Sequence, residues 1–190
     1  MKKLLLLAFI LSSHYIIAQS PAKQLLYEIE EASAQNAHQF VLKLCLELEA
    51  LNPPDSIWIE GLLYQAFHAE EIEHYELADR SYLELLYQTA ALHGKASMTY
   101  VDNLASYTKM LYESGQQDKS VSWYEKELTA AKKNNEDLEY LYLSFSYGDY
   151  YEDISAMTYA IRYYKEGLKY IKKTNTSNSK IHILLLHSLA

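Results

Sequence analysis

The stretch "ESGQQDKSVSWYEKEL", residues 113–128, places a glycine and several polar residues inside a strongly helical neighbourhood. Gly115 is expected to end one helix, because glycine readily adopts the left-handed conformation that closes a helix. The next helix follows at once and carries Ser120, Tyr124 and Leu128 on one face, since residues four apart share a face. The stretch therefore predicts the turn of an antiparallel helical hairpin.

The face of that second helix recurs along the chain at a nearly constant interval. Its pattern is a small residue, an aromatic residue four positions later and a leucine eight positions later. The first copy is weaker, with valine and cysteine in the last two places. The copies follow one another at steps of 41, 42 and 40 residues: Ala37, Val41 and Cys45; Ala78, Tyr82 and Leu86; Ser120, Tyr124 and Leu128; Ala160, Tyr164 and Leu168. This spacing predicts repeated hairpins.

Repeated hairpins predict an all-α fold in which the hairpins stack into a solenoid. The small residue lets two helices approach closely, and the aromatic residue and the leucine fill the space between consecutive hairpins. Five Gly and three Pro residues leave little material for the turns of an all-β fold. Stacked helices would also bury many of the 19 tyrosine rings. A plain helical bundle with accidental periodicity is the structural alternative.

Residues 1–18 are predicted to be a secretory signal peptide. Lys2 and Lys3 form a positive start, Leu4 to Leu11 is an apolar run, and Ala18 offers a cleavage point. The apolar run is too short to cross a bilayer comfortably, so no membrane span is expected after cleavage. A buried helix is the alternative for this segment. We therefore expect an exported protein, periplasmic or secreted, whose mature part is residues 19–190.

The mature chain is acidic. Removing Lys2 and Lys3 from the 17 basic residues leaves 15 against 25 acidic ones, a net charge of −10. This charge argues against nucleic acid as a partner, because phosphate binding needs a basic face. Cys45 is the only cysteine and lies among apolar residues, which predicts a buried thiol and no internal disulfide.

Three stretches resemble the second half of a tetratricopeptide repeat: "EIEHYELADRSYLELL" (71–86), "YESGQQDKSVSWYEKEL" (112–128) and "TYAIRYYKEGL" (158–168). The consensus of that family has Gly at the turn, then Ala, a Tyr pair and Ala-Leu. The step of 40 to 42 residues is similar to the longer repeats of kinesin light chains. The resemblance covers about Gln24 to Ala190 and implies a right-handed α-α superhelix. Its hairpins would span residues 22–52, 55–93, 95–134 and 137–173, with an incomplete fifth from 178.

The resemblance implies binding to another protein. Tetratricopeptide solenoids hold peptides or helices in a concave groove that is lined mainly by the first helix of each hairpin. The corresponding positions of this sequence are acidic and aromatic, so a basic or aromatic protein segment is the expected partner. These positions are Glu60, Tyr64, Phe67 and Glu71; Asp102, Ser106, Lys109 and Glu113; and Tyr142, Phe145, Asp149 and Asp153.

The sequence offers little for catalysis or metal binding. His68, Glu71 and His74 lie close together in "HAEEIEH", residues 68–74, but a metal site in a helical bundle needs a second such group. Nucleophile motifs and phosphate-binding glycine loops are absent from the sequence. We therefore expect no catalytic residues, no metal and no cofactor.

Three hypotheses of function follow from this pattern. The first is a non-catalytic interaction scaffold of an exported protein. The second, suggested by the habits of the resembled family, is a sensory or regulatory region of a larger modular enzyme, such as a signalling kinase or a caspase-like protease. The third is a helical enzyme that acts on a small molecule. The apolar stretch "KIHILLLHSLA", residues 180–190, matches the first helix of an unfinished hairpin. We expect it to continue into a longer protein or to drive self-association.

Overall fold

The computed structural model describes residues 20–174 and 179–189, and the regular elements in these ranges are all α-helices. The prediction of an all-α fold is therefore confirmed. The predicted signal peptide lies outside the described residues. The chain divides into two compact units, of which the first ends at His74 and the second begins at Tyr75. Within the described ranges, none of the helices combines the length and the apolar character needed to cross a membrane.

Within its described residues, unit 1 contains three helices, which are α1 (Pro21–Ala34), α2 (His38–Ala50) and α3 (Asp55–Glu71). Helix α2 packs against both of the others, and α1 also packs against α3. The core between them is apolar and includes Ile29, Val41, Cys45 and Leu48. The prediction of a buried thiol is confirmed, and burial raises the pKa of Cys45 to about 12.

Unit 2 contains six helices within its described residues. Each packs against the next one along the chain. In addition, α5 packs against α7 and α7 packs against α9, so these three helices are neighbours in one layer. The six are α4 (Tyr75–His93), α5 (Met98–Glu113), α6 (Gln117–Asn134), α7 (Asp137–Asp153), α8 (Met157–Thr174) and α9 (Ser179–His187).

Several helices end in the same hydrogen-bonded turn, which is a Schellman motif. In each, one residue adopts a positive φ between 54° and 81°. The amide of the following residue then donates to the carbonyl oxygen five positions back, at 2.7 to 3.0 Å. Four of the left-handed residues, Asn36, Glu73, Gly115 and Ser155, follow one another at steps of 37, 42 and 40 residues, and Asn135 makes the same turn between α6 and α7. Backbone geometry at these four turns therefore follows nearly the same period as the side-chain pattern, and the predicted left-handed conformation of Gly115 is confirmed.

The repeated side-chain pattern is buried in unit 2. The small residues Ala78, Ser120 and Ala160 are fully enclosed, and the three tyrosines that follow them are at most 2% exposed. Leu86 and Leu128 are buried, whereas Leu168 is half-buried, as is Ala37 in unit 1. Small residues at these positions leave room for the neighbouring helices.

Ser120 shows why a small polar residue suits this position. Its Oγ lies 2.8 Å from the carbonyl oxygen of Thr108 on α5 and 3.0 Å from the hydroxyl oxygen of Tyr150 on α7. A buried hydroxyl group needs such partners, because an unpaired one would be costly. The Ser120 side chain on α6 therefore contacts both α5 and α7, which pack against α6.

Candidate functional site: an acidic cleft between α5 and α7

A cleft of about 610 Å³ opens between α5 and α7, and we call it the α5–α7 cleft. Eight of the predicted groove residues line it, four from each helix. On α5 they are Asp102, Ser106, Lys109 and Glu113, and on α7 they are Tyr142, Phe145, Asp149 and Asp153. Both sets repeat at three- or four-residue intervals, so each occupies one face of its helix. The two faces meet because α5 and α7 pack against each other.

The remaining four predicted groove residues lie on α3 in unit 1 and are described apart from the cleft. Glu60 and Glu71 are exposed, Tyr64 is half-buried, and Phe67 is 44% exposed. The ring of Phe67 meets the ring of His68 edge-on, with the two centroids 5.1 Å apart. These side chains present acidic and aromatic groups on one helix.

Several cleft residues were not predicted from the sequence. Tyr112, Tyr124 and Tyr150 contribute aromatic surface, and Met98, Val101, Ala105 and Ile154 contribute aliphatic surface. Tyr124 was assigned only to the repeated packing pattern, yet it also lines the cleft from α6. A helix that packs behind two others presents its large side chains between them, and sequence spacing alone does not reveal this contribution.

Charge in the cleft is mainly negative. Asp102, Glu113, Asp149 and Asp153 supply four carboxylates, against the single ammonium group of Lys109. Lys109 Nζ lies 3.8 Å from a carboxylate oxygen of Glu113, a distance typical of a loose surface pair. The lining therefore favours cations over anions.

Burial disfavours the charged form of two of these carboxylates. It raises the pKa of Asp149, which Glu152 and Asp153 raise further, while the hydroxyl group of Tyr164 donates to Asp149 at 2.6 Å and opposes the rise. Partial burial also raises the pKa of Asp102, part of whose side chain stays exposed, and the positive charge of Lys180 opposes that rise. A cation brought by a partner would favour the ionised carboxylates, so binding of a cation and ionisation of these groups are coupled.

A second polar cluster lies in unit 1 and was not predicted from the sequence. His68 is fully buried, and its Nε2 lies 2.8 Å from the hydroxyl oxygen of Ser33. Its Nδ1 lies 2.8 Å from Nδ1 of His38. The sequence grouped His68 with Glu71 and His74, but His74 is exposed, and the true partners are 30 and 35 residues away. Among the described residues, no group of three or more His, Cys, Asp or Glu side chains could hold a metal ion.

The contact of Ser33, His68 and His38 joins α1, α3 and α2. Ser33 lies in the last turn of α1, where a helix presents carbonyl groups. The nearby amides of Gln35, Asn36 and Ala37 all donate to carbonyl oxygens of α1. The backbone of this turn is therefore closed by its own hydrogen bonds, and Ser33 and His38, on either side of it in sequence, both contact His68.

We expect unit 1 to lose stability as the pH falls below neutral. Burial and the neighbouring His38 lower the pKa of His68, whereas Glu71 opposes this shift. Histidine in the unfolded chain has a pKa of about 6.5, so below that pH the unfolded chain binds more protons than the folded chain. The free energy of unfolding therefore decreases as the pH falls from about 6.5 to the lower pKa that His68 has in the folded chain. Urea unfolding followed by circular dichroism at pH 7 and pH 5 measures the loss.

His68→Gln removes the titrating ring, so the difference in stability between the two pH values should shrink in this variant. His74→Gln is the matched control, because it makes the same substitution at an exposed histidine of the same unit. Equal pH dependence in the parent chain and in His68→Gln would contradict the assignment.

Comparison with protein-family models, curated protein sequences and solved structures finds no match for this chain. The resemblance to tetratricopeptide repeats therefore stays a prediction, and the case for a function rests on the residues themselves.

Proposed function

We propose that the chain is a tetratricopeptide-like solenoid of an exported protein. Three observations support this architecture. Four of the Schellman turns recur at steps of 37, 42 and 40 residues, and the small and aromatic residues of the repeated pattern are buried throughout unit 2. In addition, α5, α7 and α9 pack side by side, as the first helices of successive hairpins would do in such a solenoid.

The function we propose is binding of a protein segment that carries basic and apolar side chains, without catalysis. The observation that carries the proposal is the convergence of eight predicted groove residues on one acidic, aromatic cleft. Its volume of about 610 Å³ is enough for several side chains of a partner. Tyrosine and phenylalanine rings offer apolar contact and bind cations on their faces, and the carboxylates supply electrostatic attraction.

A pair of synthetic helical peptides tests the proposal. Both carry leucine and tyrosine at the same positions, and they differ only in having lysine or glutamate at every charged position. We expect the lysine peptide to bind and the glutamate peptide not to bind, as measured by fluorescence anisotropy. Because exposed charges are screened by salt, binding should weaken between about 0.05 M and about 0.5 M salt.

Two double variants locate the binding site. Asp102→Lys with Asp153→Lys reverses two exposed cleft carboxylates, and we expect it to weaken lysine-peptide binding about tenfold or more, which corresponds to about 1.4 kcal/mol. Glu84→Lys with Glu125→Lys makes the same change in charge at exposed positions that do not line the cleft. If both variants weaken binding equally, the attraction comes from overall charge and the proposed site is wrong.

A further inference from the structure

Helix α8 is strongly basic in an acidic chain. It carries one arginine and four lysines against the single carboxylate of Glu166, whereas the whole chain has a net charge of −8. Glu166 is itself paired with Arg162, at 3.2 Å. Lys172 and Lys173 lie in the last turn, where their positive charges interact favourably with the negative end of the helix dipole. Arg162, Lys165 and Lys169 lie before that turn, so the dipole does not explain them.

The same exposed surface of α8 carries apolar side chains. Ile161 is 37% exposed and borders an open depression, which Thr158 and Glu166 also line, together with Arg162, Lys165 and Lys169. We call Ile161 and these three basic residues the α8 face. Tyr159, in the first turn of the helix, is 51% exposed. The helix thus offers cations beside apolar surface, which is the combination that the α5–α7 cleft favours.

We propose that the occupant of the α5–α7 cleft is the α8 face of a second copy of this chain. This inference rests on the proposed function of the cleft and names its partner. The cations of one copy would meet the four carboxylates of the other, and Ile161 would meet the aromatic lining. The two surfaces are different, so each added copy leaves one cleft and one α8 face open. Association of this kind is head-to-tail and continues beyond a dimer unless the rotation closes a ring.

Sedimentation of the mature chain over a range of concentrations tests the inference. We expect oligomers that grow with concentration at about 0.05 M salt and dissociate at about 0.5 M salt, because the contact is electrostatic. Association through the apolar side chains of α9 would instead persist at high salt, since Ile183 and Leu186, which are 65% and 52% exposed, carry no charge. Persistence at high salt would therefore overturn the proposal.

Charge reversal on each surface makes the test specific. The cleft variant, Asp102→Lys with Asp153→Lys, and the face variant, Lys165→Glu with Lys169→Glu, should each be monomeric alone. Mixing them should restore association, because the unchanged α8 face of the first meets the unchanged cleft of the second. All four changes in one chain should also restore self-association, with the net charge of the parent chain retained. Failure of both combinations would overturn the proposal.

Three further outcomes separate this inference from the proposed function. A monomeric parent chain whose cleft still binds the lysine peptide would overturn the inference and leave the proposed function standing. If the parent chain binds phosphatidylglycerol vesicles as a monomer and the face variant does not bind them, the α8 face belongs to a lipid surface and the inference is overturned. A third result is that the chain forms salt-sensitive oligomers, that both charge reversals dissociate them, and that the lysine peptide does not bind. This result would support the inference and would mean that the cleft binds only other copies of the chain.

Discussion

Tyr147→Ala is expected to lower the free energy of unfolding by about 3–5 kcal/mol, the usual range for removing a large buried aromatic side chain. Tyr147 on α7 is fully buried. Its ring centroid lies 4.3 Å from that of Tyr124 on α6 and 4.3 Å from that of Tyr163 on α8. Alanine would leave a cavity where three helices meet. Urea unfolding followed by circular dichroism measures the loss.

Tyr147→Phe is the matched control for that cavity. It keeps the ring and removes only the hydroxyl group, which lies 3.0 Å from the hydroxyl group of Tyr151. A single hydrogen bond of this kind contributes about 1 kcal/mol, so the phenylalanine variant should be much more stable than the alanine variant. Similar losses in the two variants would mean that the ring does not hold the three helices together.

Gly148→Ala is expected to lower the free energy of unfolding by about 1–3 kcal/mol, the range for overpacking a core. A Cβ atom at Gly148 would come within van der Waals overlap of three ring atoms of Tyr164, the nearest of them Cε1. That ring cannot easily move, because it is 1% exposed and its hydroxyl oxygen lies 2.6 Å from a carboxylate oxygen of Asp149 and 2.8 Å from one of Glu152. In an open helix the same change would instead gain about 1 kcal/mol, so the sign is informative.

Gly167→Ala on α8 provides the comparison. Its added Cβ would lie 2.9 Å from Cδ1 of Leu185, which is the end of a flexible side chain. The leucine can shift where the tyrosine ring cannot, so we expect a smaller loss than in Gly148→Ala. If Gly148→Ala stabilises the chain, then α7 and α8 do not approach each other as closely at Tyr164 as in the structure.

Much of the helical layout could be predicted because it depends on local chemistry. Gly115 favours the left-handed conformation, and the spacing of Ala160 and Tyr164 identifies the buried face of α8. The faces of α5 and α7 that line the cleft were expected from the groove positions of the resembled family. Periodicity itself needs only the positions of residues along a helix.

Other features depend on contacts that no local pattern encodes. His68 pairs with Ser33 and His38 across three helices, so its burial and its lowered pKa could not be read from its neighbours in sequence. Tyr124 reaches the cleft from α6, although its spacing indicated only a packing role. Similarly, the basic character of α8 is plain in the sequence, but its exposure beside Ile161 requires the folded unit.

Photo-crosslinking tests most directly whether the α5–α7 cleft is the binding surface. A benzophenone amino acid would replace either Tyr142, which lines the cleft, or Tyr87 on α4, which is 69% exposed and outside it. Each labelled chain is irradiated with the lysine peptide, and the covalent product is measured by mass spectrometry. We predict a crosslinked product at position 142 and little product at position 87, although position 87 is highly exposed and would collide readily with free peptide. Equal yields, or a product only at position 87, would contradict binding in the cleft.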